Sequence, residues 1–257
     1  MTLDANRLLK AASVAGRMLL ESGAETYRVE ETIIRICNAY GVQHASSFVM
    51  PTGIMTSFFY EDRNYARVER VYERGTDLNK IHLINDLSRR IGDEKISVRD
   101  LEAELTLIKN GQRYSELLIW LFSGLSAFGF AFFFGGGLGE AFSSFLVGMA
   151  IKTVSLKMET LQINTFFNIV VSSVVAGFLS VFTVWIEIGS NLDIIIISSI
   201  MLLVPGIAIT NAIRDTVAGD LVSGLTRACE AFLVAVAIAL GVGFALSMCM
   251  SWIGGAL

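Results

Sequence analysis

An α+β cytoplasmic N-terminal domain followed by an all-α polytopic membrane domain of about five transmembrane helices is the fold the sequence predicts, on three observations. The 82-residue stretch from Glu116 to Ile197 is nearly all apolar, whereas the first 115 residues are charged and mixed. Sixteen of the 20 Lys and Arg lie between Arg7 and Arg113. The other four, Lys152, Lys157, Arg214 and Arg227, sit in gaps between apolar runs and report which side of a membrane each gap faces. The expected domains are therefore 1–115 and 116–257.

Composition supports this division and excludes several function classes. The chain of 257 residues has room for two modest domains. Its hydrophobic fraction of 53% and mean hydropathy of +0.60 exceed those of an ordinary soluble protein of this size. Up to residue 115 there are 16 basic and 16 acidic side chains, a balance that gives no reason to expect nucleic acid. Cys37, Cys229 and Cys249 are odd in number and lack metal-ligand spacing, which argues against a disulfide framework. The first ten residues include Asp4, Arg7 and Lys10 and lack the apolar core of a secretory signal, so the N-terminal domain is expected in the cytoplasm.

Within residues 1–115, Leu8, Leu9, Ala12, Ala15, Leu19 and Leu20 recur at helical spacing. Ser22-Gly23-Ala24-Glu25 then supplies a glycine to end that helix and a Ser-x-x-Glu pair to cap the next, whose inward face is Val29, Ile33, Ile36 and Tyr40. From Val42 to Tyr72, runs rich in Val, Phe, Tyr, Thr and Ser are broken at Pro51-Thr52-Gly53 and at Glu61 to Asn64, giving about three strands. Helical periodicity returns at Leu78, Ile81, Ile84, Leu87 and Ile91, and Ser97-x-x-Asp100 caps a last helix through Leu101, Leu105 and Ile108.

A transmembrane helix needs about 20 mostly apolar residues. Spans are expected at 117–134, 138–156, 165–186, 194–213 and 231–253, the second being the weakest because Glu140 and Lys152 lie near its ends. Five spans with the N-terminal domain inside put every basic residue on the cytoplasmic side and the C-terminus outside. Five is an odd count without an internal repeat, which points to a second polypeptide or to homo-oligomerisation.

The most specific stretch runs from Leu203 to Arg227. Pro205 removes a backbone donor and Gly206 loosens the turn, so the fourth span should be kinked or interrupted there, freeing backbone groups to meet a polar solute. Asn211, Arg214, Asp215, Asp220 and Arg227 follow among small residues that permit close helix approach. An Arg at this depth can hold a carboxylate bidentately, and an Asp can exchange a proton or lock the Arg. Glu159, Glu25 and Arg28 are secondary candidates, while Glu140, Lys152 and Lys157 read as interfacial anchors that snorkel. The charges between Glu21 and Glu31 read mostly as capping groups and solvated faces. His44 and His82 are far apart without a neighbouring Cys or acid pair, so neither a metal nor a catalytic residue is expected. No Walker glycine loop is present, and no cofactor is expected.

Three motifs, Glu21 to Glu30, Pro51-Thr52-Gly53 and Val204 to Arg227, resemble the threonine/serine exporter family, and especially the larger, YjjP-like subunit of its two-component form. The resemblance implies a non-enzymatic exporter of small amino acids or small dicarboxylates such as succinate, driven by the proton gradient across a bacterial inner membrane. It also implies a separate small membrane subunit, YjjB-like, as partner. Two rival readings come from other classes. One is a membrane-anchored hydrolase using Ser22 or His44, which lacks a paired nucleophile and base. The other is a ligand-sensing domain that gates a membrane partner.

The topology is testable directly. Reporter fusions after Gly137, Met158, Ser190, Gly219 and Leu257 should alternate out, in, out, in, out, and a cytoplasmic signal at Leu257 contradicts five spans.

Overall fold

A computed structural model of the chain describes residues 3–111 and 114–253. The C-terminal residue, expected outside, lies beyond the described residues. Two compact units divide the chain: 1–112 with 206–229, and 113–205 with 230–257. The linear boundary expected at 115/116 is therefore joined by a second feature, because the segment 206–229 belongs with the N-terminal unit.

The first unit begins with helix α1, Ala5–Glu21, whose N-terminus is capped by the Asp4 carboxylate accepting the Arg7 amide at 3.1 Å. Ser22 ends it and Gly23 follows at φ +88°, a left-handed turn suited to glycine. Helix α2, Thr26–Ala39, is preceded by Glu25 in extended conformation. The expected Ser22-x-x-Glu25 cap is thus corrected: the helix starts one residue after Glu25, and Ser22 lies too far upstream to bond its first turn. Strands β1 (Gln43–Met50), β2 (Gly53–Tyr60) and β3 (Arg63–Arg70) form an antiparallel meander. Glu61 and Asp62 both have positive φ in the two-residue turn between β2 and β3, as a tight hairpin requires. His44 sits at a register shift of β1 with φ 51°, a bulge position.

Helices α3 (Leu78–Glu94) and α4 (Val98–Lys109) complete this layer, and α4 is capped as expected by Ser97, whose hydroxyl accepts the Asp100 amide at 3.2 Å. Leu8, Leu19, Ile33, Ile36, Phe58, Ile84, Leu87 and Leu101 are fully buried in one core between the helices and one face of the sheet.

In the second unit, α5 (Glu116–Phe133), α6 (Leu138–Thr160) and α7 (Thr165–Trp185) are long and apolar enough to cross a membrane, as is α10 (Leu221–Ile253). The span expected at 194–213 is not one helix. Helix α8 (Leu192–Ile200) has nine residues, about 13 Å at 1.5 Å per residue and less than half of a hydrocarbon core about 30 Å thick. A turn follows, Pro205 interrupts the ladder, and α9 (Gly206–Ala218) starts anew.

Small residues set the helix contacts in this unit. A Cβ added to Gly148 of α6 would lie 2.8 Å from the Ala127 Cβ of α5. Between α7 and α10, a Cβ on Gly241 would meet the Ser173 Cβ at 2.6 Å, and one on Gly177 would meet the Ala245 Cβ at 2.6 Å. Position 241 therefore faces 173, and 245 faces 177, so α7 and α10 run parallel through two small-xxx-small pairs.

Glu140 departs from its expected role as a snorkelling anchor. It is 8% exposed, and its Oε1 accepts the Ser190 amide and hydroxyl, both at 2.9 Å, and the Asn191 amide at 3.1 Å. Its Oε2 accepts the Gly137 amide at 2.9 Å. The carboxylate satisfies backbone donors that would otherwise be orphaned in the α7–α8 loop and at the start of α6, so the two connections lie on the same side.

Candidate functional site

Five polar residues named in the sequence converge within the first unit. The α1–α2 turn contributes backbone carbonyls and Glu25, whereas α9 and the first turns of α10 contribute Asn211, Arg214, Asp215 and Arg227. Asp215 is fully buried. Its Oδ1 accepts the Thr26 amide at 3.1 Å, and its Oδ2 accepts the Thr26 hydroxyl at 3.0 Å and lies 2.9 Å from Nε of Arg227. Arg227, 4% exposed, donates through Nη2 to the Ala24 carbonyl at 2.9 Å. Asn211 donates through Nδ2 to the Gly23 carbonyl at 2.8 Å.

The local sequence explains this convergence. Asn211 and Asp215 are four residues apart on α9 and share a face. Gly224 of α10 sits against Thr216 and the Ala212 carbonyl, so any side chain there would push the two helices apart. The φ of +99° at Gly219 and the Asp220 amide bonding the Asp215 carbonyl at 2.9 Å close the turn between them. On the other side, the Gly23 turn leaves the 23 and 24 carbonyls free of α1 and α2. A buried ion pair needs its remaining donors and acceptors satisfied. Thr26, Ala24 and Gly23 do this.

The two arginines have different standing. Arg227 is enclosed and committed to Asp215, whereas the Arg214 side chain is 55% exposed and pairs through Nη1 with Glu25 Oε1. Glu25 Oε2 lies 3.3 Å from Nε of Arg28, so one carboxylate serves two guanidinium groups. Burial pushes the Glu25 carboxyl up, but a backbone amide, the Arg214 hydrogen bond and the charges of Arg28 and Arg214 outweigh it and hold it below its ordinary 4.5. Glu30, one turn along α2, accepts the Val49 amide at 2.8 Å. Its carboxyl is raised by burial, opposed by that amide and then reinforced by the charges of Asp220 and Asp215.

Asp220 is half-buried just before α10, close enough to act on Glu30. Glu159, in the second unit, is exposed near the end of α6 and accepts the Ser155 hydroxyl at 3.2 Å. Pro205 and Gly206 mark the break at which the two units divide. Among the described residues, no group of His, Cys, Asp and Glu is arranged to hold a metal ion. Sequence reading did not single out Thr26 or Glu30, and took the Glu21–Glu31 charges mostly as capping groups and solvated faces, with Glu25 and Arg28 as secondary candidates. Ser22, Glu25 and Thr26 are in fact 4%, 6% and 0% exposed. The density of polar residues around one glycine was the available signal, but their partners lie about 190 residues away.

A family model described as "Putative threonine/serine exporter" matches residues 10–249. Two curated relatives, each described as "Probable succinate transporter subunit YjjP", come from Klebsiella aerogenes and Escherichia coli. The first is 26% identical over 231 residues, covering 90% of this chain and 89% of the relative. The second is 24% identical over 234 residues, covering 91% of each. No solved structure gives a significant match.

The Glu25 linkage predicts a pH dependence. Because the folded carboxyl titrates below its ordinary 4.5, its stabilisation is complete above that value and is lost as pH falls through the lower folded value. Thermal unfolding of the purified chain should show a smaller difference between wild type and Glu25→Gln at pH 3.5 than at pH 7. A difference that is constant over this range contradicts the assignment.

Proposed function

The chain belongs to the threonine/serine exporter family, and from that membership we propose that it is the larger subunit of a secondary exporter for small carboxylate-bearing metabolites. The substrates are threonine/serine-type amino acids or small dicarboxylates such as succinate, and the proton gradient drives their export across a bacterial inner membrane. The succinate arm draws on the descriptions of the two relatives. Their description as subunits also supports a partner, for which a small YjjB-like membrane protein is the expected form.

The observation that carries this reading is the division of labour between the two arginines. Arg227 and Asp215 form the buried fastening, and Arg214 beside them offers an exposed guanidinium whose present partner is a carboxylate, that of Glu25. A substrate carboxylate exchanges with Glu25 on the planar fork of Arg214. Asp220 and Glu30 adjoin, and the raised carboxyl of Glu30 suits it to carry the coupled proton.

Five crossings fit this arrangement, with the N-terminus in the cytoplasm and the C-terminus outside. The parallel course of α7 and α10 supports a fifth pass between them, which this reading assigns to α8, the Pro205 break and α9. A discontinuous helix at that depth is tolerated where it lines a cavity.

Counterflow in liposomes with the partner present tests the proposal. Arg214→Lys keeps the charge but loses the fork, and should reduce uptake of labelled succinate or threonine about tenfold or more while expression holds. Wild-type kinetics for Arg214→Lys removes Arg214 from recognition, and no counterflow of any amino acid or dicarboxylate by the wild-type pair refutes the exporter.

A further inference from the structure

A second cluster of cationic side chains lines a cavity of about 340 Å³ between α2 and α3, large enough for a small metabolite. Arg28, His82 and Arg89 line it together with Asn85 and Asp86. The charges do not cancel within the cavity. Asp86 is already engaged, its Oδ2 accepting Nε of Arg90 at 2.9 Å. Arg89 and His82 have no hydrogen bond or ion pair among the described residues. Arg28 shares its ion-pair partner at 3.3 Å, Glu25, with Arg214. Asn85 accepts the Thr32 hydroxyl on its Oδ1 at 3.3 Å, which leaves its amide group as a donor. Two guanidinium groups, an imidazole and an amide donor around one neutralised acid are the chemistry that recognises a multiply charged anion.

We propose that this α2–α3 cavity is an effector site for a small di- or trianion bearing carboxylates or phosphate, distinct from the Arg214 site. Its structural basis is independent of the transport reading, and only its regulatory consequence rests on that reading. An anion that takes Arg28 withdraws it from Glu25, leaving Glu25 wholly to Arg214. A substrate carboxylate must displace Glu25 to reach Arg214, so occupancy of the α2–α3 cavity opposes export. The rigid link is short: Arg28 and Glu25 are three residues apart across the first turn of α2.

Isothermal titration of the purified full chain in detergent provides the test, using citrate and inorganic phosphate as probes and sodium chloride at matched ionic strength as control. At least one probe should bind saturably. Arg89→Gln and His82→Gln, both on the exposed face of α3, should each weaken that binding tenfold or more, whereas Arg214→Lys should leave it within a factor of about three. Citrate binding without phosphate binding assigns a carboxylate ligand, and the reverse assigns a phosphate. No saturable heat beyond the chloride control, or undiminished affinity in both α3 variants, overturns the site. Loss of binding in Arg214→Lys with retention in Arg89→Gln also overturns it, because the anion is then held at the Arg214 site alone. In counterflow, Arg89→Gln should remove inhibition by the bound probe while uninhibited transport persists.

Discussion

The fold of the first unit depends on placing one carboxylate, Asp215, where water cannot reach it. A buried charge is tolerated only if it is paired and its other lone pairs are filled. Arg227 supplies the charge, and the amide and hydroxyl of Thr26 fill the rest. Each of these requirements fixes a piece of backbone. Arg227 must return alongside α9, which the Gly219 turn and the close approach at Gly224 allow. Thr26 must present its amide at the start of α2, which the Gly23 turn allows. Removing one member of the pair leaves the other uncompensated at a cost of about 3–5 kcal/mol, a large share of the stability of a domain this size.

That constraint ties α9 to the α1–α2 turn. Exposed ion pairs between distant segments contribute little. Here the contact between α9 and the α1–α2 turn is buried and hydrogen-bonded. Glu25 adds an adjustable element, because it is shared between Arg28 and the exposed Arg214. The same turn thus carries both the buried fastening to Asp215 and Arg227 and the carboxylate shared by Arg28 and Arg214.

Much of the architecture was legible from local patterns. The alternation of apolar faces gave α1 to α4, the meander and the Ser97 cap, and hydropathy gave α5, α6, α7 and α10. Pro205-Gly206 announced the helix break because a missing amide is a local property. The misreadings share one cause. Hydropathy weighs side chains one at a time and so puts residues 194–213 in one interrupted span, whereas α9 is claimed by the first unit through Asn211 and Asp215, whose partners lie 188 and 189 residues away. Glu140 looked like an anchor for the same reason, since its partners Ser190 and Asn191 are 50 and 51 residues distant. Ser22 was misplaced as a cap by the position of one helix start, a boundary that propensity locates only to within a few residues.

The central claim, that Thr26 and Asp215 are energetically one unit joining α2 to α9, is tested most directly by a double-mutant cycle. Thr26→Val, Asp215→Asn and the double variant would be compared with wild type for resistance of the full chain to denaturant in micelles. The account predicts a coupling energy of about 1–3 kcal/mol between the two positions, with the double variant scarcely worse than Asp215→Asn alone. Additive effects, agreeing to within about 0.5 kcal/mol, would contradict it.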